Sequence, residues 1–153
     1  MLPAAFCAIA LLAFSALPAR SQSADAEVVA ALEAARADPM ELSRVVRAHA
    51  DAVERLLAEP AAPIAALRAA AYLEAPSRHL ARLAELAASD DPERAPIAAL
   101  AAWRIARNLT AEALSAEELS PPDATPFEAL ATSELARPDV RRLAGLVAAQ
   151  IAS

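Results

Sequence analysis

Two histidines, one cysteine and twenty carboxylates are the side chains of this chain suited to acid–base, metal or thiol chemistry. His49 stands out among them. It lies seven residues after Leu42 and four before Val53, a helical spacing that puts it on an apolar stripe. A histidine held there could move a proton or ligate a metal, with a carboxylate such as Asp51 beside it. The plainer reading is a core or boundary histidine, hydrogen-bonded to backbone or to a neighbour. A second ligand at metal spacing is missing, because positions 45, 46, 52 and 53 are Val, Val, Ala and Val. His79 stands beside Arg78 in the first turn of its own helix and is expected to be exposed. Asp90-Asp91-Pro92 could hold a cation weakly, but the same residues suit the cap of a helix better.

Other chemistry is hard to assemble. The chain has one glycine, Gly145, so a backbone nest for phosphate is difficult to build. No Ser-x-Gly elbow, glycine-rich loop or Cys/His cluster is present. Asn108-Leu109-Thr110 matches a glycosylation acceptor, which matters only in a eukaryotic secretory host. The expectation is a non-enzymatic chain without cofactor or metal. An enzyme or small-ligand-binding bundle using His49 is the alternative.

The first nineteen residues carry no charged side chain, and Arg20 follows them. This apolar run reads as a secretory signal peptide over residues 1–21. Ala19-Arg20-Ser21 puts small side chains at the −3 and −1 positions of a cut before Gln22; cuts after Ala19 or Ser23 also fit. The run is close to the ~20 apolar residues that cross a bilayer. An uncleaved anchor over residues 2–19 is therefore the alternative to a periplasmic or secreted protein. Cys7 lies inside the run, so a processed chain has no thiol and no disulfide.

Residues 22–153 suit one domain, and a chain of that size buries roughly two-thirds of its unfolded surface. Alanine, leucine, glutamate and arginine dominate, and all four favour helix. The formal net charge of −6 argues against nucleic acid and anionic membranes as partners. A protein partner is the expectation, with membrane contact only if the leader is retained.

Proline and Asx residues divide the chain into about eight helices. The first runs from about Ala24 to Arg36. Asp38-Pro39-Met40-Glu41 opens the second, with Asp38 as cap and Glu41 as its capping-box partner. That helix is expected to run unbroken to Pro60, with Arg47–Asp51, Asp51–Arg55 and Arg55–Glu59 as ion pairs one turn apart. Pro63 opens the third, and Ser77 caps the fourth. Asp90-Asp91-Pro92 starts the fifth, carrying Ile97, Leu100, Trp103 and Ile105. A weaker helix covers Ala111 to Leu119, before a proline-rich loop at 120–126. Thr125-Pro126 starts a helix with Phe127, Leu130 and Leu135 inward. Pro138-Asp139 starts the last, with Val140, Leu143, Leu146, Val147 and Ile151. The fold class is all-α.

Ala-Pro-Ile-Ala-Ala-Leu occurs at Ala62–Leu67 and again at Ala95–Leu100, 33 positions later. Pro138-Asp139-Val140-Arg141-Arg142-Leu143 is a degenerate third copy. Arg137-Pro138-Asp139-Val140-Arg141-Arg142-Leu143-Ala144 resembles the inter-helix turn and second-helix start of a HEAT-type repeat. Asp90-Asp91-Pro92-Glu93-Arg94-Ala95 is similar, and Asp38-Pro39 repeats the punctuation. The resemblance could cover residues 26–152. The copies are spaced by 33 and then 43 residues, and a clear Val-Arg pair stands only at Val140-Arg141. The resemblance implies a short solenoid of antiparallel helical hairpins that binds proteins along its concave face. A compact helical bundle is the alternative. The expected function is an exported module for protein interaction or scaffolding in the bacterial cell envelope. Trp103, Arg104 and Arg107 are the candidate protein-binding residues; Trp103 and Tyr72 suit either the core or the aromatic anchors of an interface, with the core the plainer reading.

Overall fold

The computed structural model of the chain describes residues 19–110 and 121–153. The leader expected at the amino terminus and the helix expected over Ala111–Leu119 lie outside the described residues, save for the last residues of the leader.

The described residues form helices and no strand. The elements are α1 (Ala19–Ala35), α2 (Pro39–Ala48), α3 (Ala50–Ala58), α4 (Ile64–Ala69), α5 (Leu80–Ala87), α6 (Arg94–Ala106), α7 (Thr125–Thr132) and α8 (Pro138–Ile151). Two short 3-10 turns, Ala70–Tyr72 and Pro76–His79, join α4 to α5. Among these helices, none is long and apolar enough to cross a membrane.

Local chemistry starts several of them. One carboxylate oxygen of Asp38 accepts from the amides of Met40 and Glu41, at 2.9 and 3.3 Å. Pro39 takes the first position of α2, where its missing N–H costs nothing. The Glu41 side chain does not return the bond to complete a capping box; it binds Arg44 instead, at 2.8 Å. Asp91 accepts from the amides of Glu93 and Arg94, both at 2.9 Å, at the start of α6. Asp123 does the same for Thr125, which opens α7, so the helix claims the last two residues of the expected loop at 120–126. Ser77 lies buried within a 3-10 turn rather than capping the helix, which begins at Leu80.

The helix expected to run from Pro39 to Pro60 is two helices. The chain turns at His49, whose backbone angles are φ −133° and ψ 31°. Its N–H donates to the carbonyls of Val45 and Val46, and its carbonyl accepts from Ala52 and Val53. The break therefore leaves both backbone groups of His49 bonded. It lets Leu42 and Val46 of α2, and then Val53, Leu56 and Leu57 of α3, reach the same core. None of the expected i,i+4 ion pairs along this stretch forms. The turn takes Arg47 and Asp51 out of helical register. Arg55 reaches across to Asp25 on α1 instead, at 2.8 Å.

Packing follows an ordered pattern. α1 packs on α2 and α4, α4 on α3 and α6, and α6 on α5 and α8. The last pair, α7 and α8, packs together, and α7 also touches α5. Thus α1, α4, α6 and α8 form a row of successive neighbours. The core between the helices is largely leucine, valine and alanine, with Phe127 its largest fully buried side chain. Ala98, Ala99 and Ala102 of α6 are buried, and such small residues let helix axes approach closely.

Arginines tie the turns down. Arg82 on α5 donates to the carbonyls of Leu57 (3.1 Å) and Glu59 (2.6 Å). Arg94 donates to the carbonyl of Ala62, at 3.0 Å. Arg137 donates to the carbonyl of Pro92, at 3.3 Å, while gripping Asp139. Each reaches back to an earlier inter-helix turn, where carbonyls lack helical partners.

Three expected core leucines stand elsewhere. Leu135 is 98% exposed, because α7 stops at Thr132 and Ser133 is extended. The Thr132 hydroxyl donates back to the last turn, to the carbonyls of Glu128 or Ala129. Leu100 and Leu146 are exposed at 38% and 41%, since close alanine packing buries only the neighbouring flank of each helix.

Candidate functional site

Helix α6 packs on α4, α5 and α8 and gives one flank to a surface hollow. Ile97, Leu100, Ala101 and Arg104 occupy that flank, at positions a helix brings to one side. The other lining residues are Arg36 in the α1–α2 turn, Pro39 and Leu42 of α2, Arg68 of α4 and Tyr72. Together they line an open hollow of about 240 Å³.

Three arginines line it, and two of them, Arg36 and Arg68, share Glu33. Arg36 follows α1, Arg68 lies in the last turn of α4, and Arg104 lies in the last turn of α6. Two successive helices of the row, α4 and α6, thus contribute one each, and the turn after α1 contributes the third. A cation at a helix C-terminus complements the helix dipole, so each arginine has a local reason for its place. That reason does not explain why they line one hollow. Glu33 is the carboxylate ion-paired to the group, 3.7 Å from Arg36 and 3.7 Å from Arg68. Arg104 makes no ion pair or side-chain hydrogen bond among the described residues; its carbonyl accepts from the Asn108 amide. The nearby Asp38 carboxylate is taken up by the α2 amides. Exposed pairs of this length stabilise a fold by about 0–1 kcal/mol, and like charges in one hollow repel. The cluster is therefore a poor stability device, and its geometry suits an added anion.

The walls are apolar. Tyr72 is half-buried, Leu100 is 38% exposed, and Met40, next to Pro39, is 81% exposed. Arginine stems add further apolar surface beneath their charged heads.

The expected interaction residues divide. Arg104 lines the hollow. Trp103 is half-buried, packs against the core and does not line the hollow. Arg107 is exposed at the end of α6 and does not line the hollow. Sequence reasoning passed over Arg36 and Arg68, whereas Tyr72 stood there as a core residue or an aromatic anchor of an interface. A signal existed: Arg36, Arg68 and Arg104 are spaced by 32 and 36 residues, close to the 33-residue interval of the repeated hexapeptide.

His49 does not sit on an apolar stripe. The turn between α2 and α3 carries it to an exposed position. It lines a shallow surface depression with Arg47, Asp51 and Arg55, and neither a hydrogen bond nor an ion pair joins its ring to Asp51. His79 reverses its expectation too. Its side chain is only 17% exposed, tucked between α3 and α5, with Nε2 buried 3.7 Å from Glu54. That separation is too long for a hydrogen bond. Burial is the main force pulling its pKa below the ordinary imidazole value, with Arg78 adding to it and Glu54 opposing it.

Asp91 acts as a cap and an arginine partner. The Arg94 amide, and then the Glu93 amide, hold its carboxyl below the usual carboxylate range. Among the described residues, no group of three or more His, Cys, Asp or Glu side chains gathers as a metal site.

No family model, curated protein or solved structure matches this chain.

Proposed function

We propose that the chain is an exported, non-enzymatic helical module that binds a protein partner, arranged as a short HEAT-like solenoid. The observation that carries the binding reading is the hollow shared by α1, α4 and α6, lined by Arg36, Arg68 and Arg104, the first two of which share Glu33. The solenoid arrangement draws support from the order of packing. Successive helices α1, α4, α6 and α8 neighbour one another in a row, with α5 and α7 stacked behind. In such an array the row helices offer a continuous face to a partner. Arg94 and Arg137 each reach back to a preceding turn, a recurrence that suits repeated units. Export rests on the apolar, uncharged residues 1–19, with retention as an anchor as the other outcome.

Capture from the native cell envelope tests this reading. The tagged full chain should retain a defined partner at physiological salt. Mass spectrometry of the native amino terminus should find the chain beginning near Gln22. A chain that retains no partner, or that turns over a small substrate through His49, overturns the module. A chain beginning at Met1 in the membrane fraction overturns free export.

A further inference from the structure

Resting on the interaction reading above, we propose that the Arg36–Arg68–Arg104 hollow is a receptor for an acidic, apolar-flanked peptide segment of a protein partner. Four observations converge on that occupant.

The first is charge. Three arginines line the hollow against two carboxylates, the ion-paired Glu33 and the nearby Asp38, so the site carries a local surplus of one positive charge (three minus two). The chain as a whole is −6. A generally acidic body repels acidic molecules and leaves few places for them to settle. A local positive hollow on such a body selects position as well as sign. The same net charge disfavours nucleic acid, which needs a broad basic surface.

The second is the donor type. Arginine presents a planar fork that grips a carboxylate through two parallel bonds. Arg104 has no acidic partner among the described residues, and Glu33 lies at 3.7 Å from each of the other two. At that length Glu33 leaves most donor positions open to a better-placed acid.

The third is size. Pockets for drug-sized ligands and cofactors occupy about 300–1,000 Å³. At about 240 Å³ the hollow falls short of that range and suits one or two side chains. An extended segment can place those side chains in the hollow and run on across the surface.

The fourth is the wall. Tyr72, Leu100 and Ile97 give an apolar seat beside the charges, and Met40 extends it outward. Aromatic and arginine side chains together are what anchor peptide partners. A purely ionic ligand would leave this apolar surface uncovered.

The chain has one tryptophan, Trp103, next to Arg104, so its fluorescence reports binding without a label. The probe is a synthetic peptide in which Asp-Glu pairs alternate with Leu-Phe pairs, titrated into the processed chain. Saturable binding is expected. It should weaken by about tenfold or more for Arg68→Gln and again for Arg104→Gln, each removing a charge-assisted contact. Arg142→Gln on α8, outside the hollow, should bind as the parent does. Circular dichroism confirms that each variant is folded. The same peptide with Asn and Gln in place of the acids should bind at least about tenfold more weakly.

Equal binding of the neutral peptide overturns the proposal. So does unchanged affinity in folded Arg68→Gln and Arg104→Gln. Saturable binding of glutarate with no binding of the peptide overturns it in favour of a small-acid site. A native partner that binds the parent and both arginine variants alike also overturns it, while leaving the interaction reading intact. Arginine-dependent peptide binding upholds it, even where envelope capture yields nothing.

Discussion

Arg94 donates from Nε to the carbonyl of Ala62, 3.0 Å away and 32 residues earlier in the chain. The same guanidinium is held at its other end by Asp91, whose second oxygen caps α6. One side chain therefore links the start of α6 to the turn before α4. Ala62 is fully buried, so its carbonyl has little access to water as a substitute partner. Replacing Arg94 with Met keeps much of the stem and removes the bond. The expected loss is about 1.5–3 kcal/mol, the range for a hydrogen bond to a charged group. Urea unfolding followed by circular dichroism measures it, and a loss below about 0.5 kcal/mol would place the link among ordinary surface contacts.

His79 predicts a pH dependence. Burial lowers its pKa below the unfolded value of about 6.5, so the folded state favours the neutral ring. Glu54 pulls the other way and Arg78 reinforces burial. Below about pH 6.5 the unfolded chain takes up a proton more readily than the folded one. The stability from this group is thus fully present above that pH and is lost as pH falls through the folded value. Melting temperature should decline from pH 7.5 to pH 5.5, and His79→Gln should flatten that part of the decline. A His79→Gln profile parallel to the parent's would assign the slope to other groups.

The helical state was legible from local chemistry, while the site was not. Asp38 and Asp91 announce helix starts, and each carboxylate does accept amides there; Asp123, read as loop, accepts from Thr125 in the same way. Capping involves residues two or three apart, so short windows of sequence carry it. The turn at His49 has no such mark: neither proline nor glycine stands there, and the flanking residues are good helix formers. The need to aim two apolar stripes at one core decides it, and that need is tertiary. Leu135 misled for the opposite reason. Its spacing from Phe127 suits one helix face, but the helix ends first. Arg104 is named from its place near Trp103, whereas Arg36 and Arg68 come to line the same hollow only when α1, α4 and α6 pack.

Gly145 lies in the middle of α8, facing α7. A Cβ added there would meet the Cβ of Ala131 at 3.7 Å, an ordinary van der Waals contact. The backbone is helical and asks nothing that only glycine supplies. Alanine is favoured over glycine inside a helix by about 0.8–1 kcal/mol. Gly145→Ala should therefore raise stability by roughly 0.5–1 kcal/mol, or a few degrees in Tm. A fall in Tm would mean that α7 and α8 need to approach more closely than the contact at Ala131 implies.

His49 offers the sharpest separation of fold from chemistry. Its side chain is exposed, while its backbone N–H and carbonyl join α2 to α3. Any residue except proline can make those bonds, so the ring contributes little to the turn. His49→Ala should change stability by no more than about 0.5 kcal/mol, the usual range for exposed positions. Because the hollow between α1, α4 and α6 does not include His49, acidic-peptide binding should be unchanged as well. By contrast, Phe127 is 1% exposed, and Phe127→Ala should cost about 3–5 kcal/mol through the cavity it leaves. Parallel urea melts and Trp103 titrations on the two variants distinguish the positions. A His49→Ala chain that binds its partner normally argues for a module, whereas one that stays folded but loses a measurable turnover argues for catalysis at the α2–α3 junction.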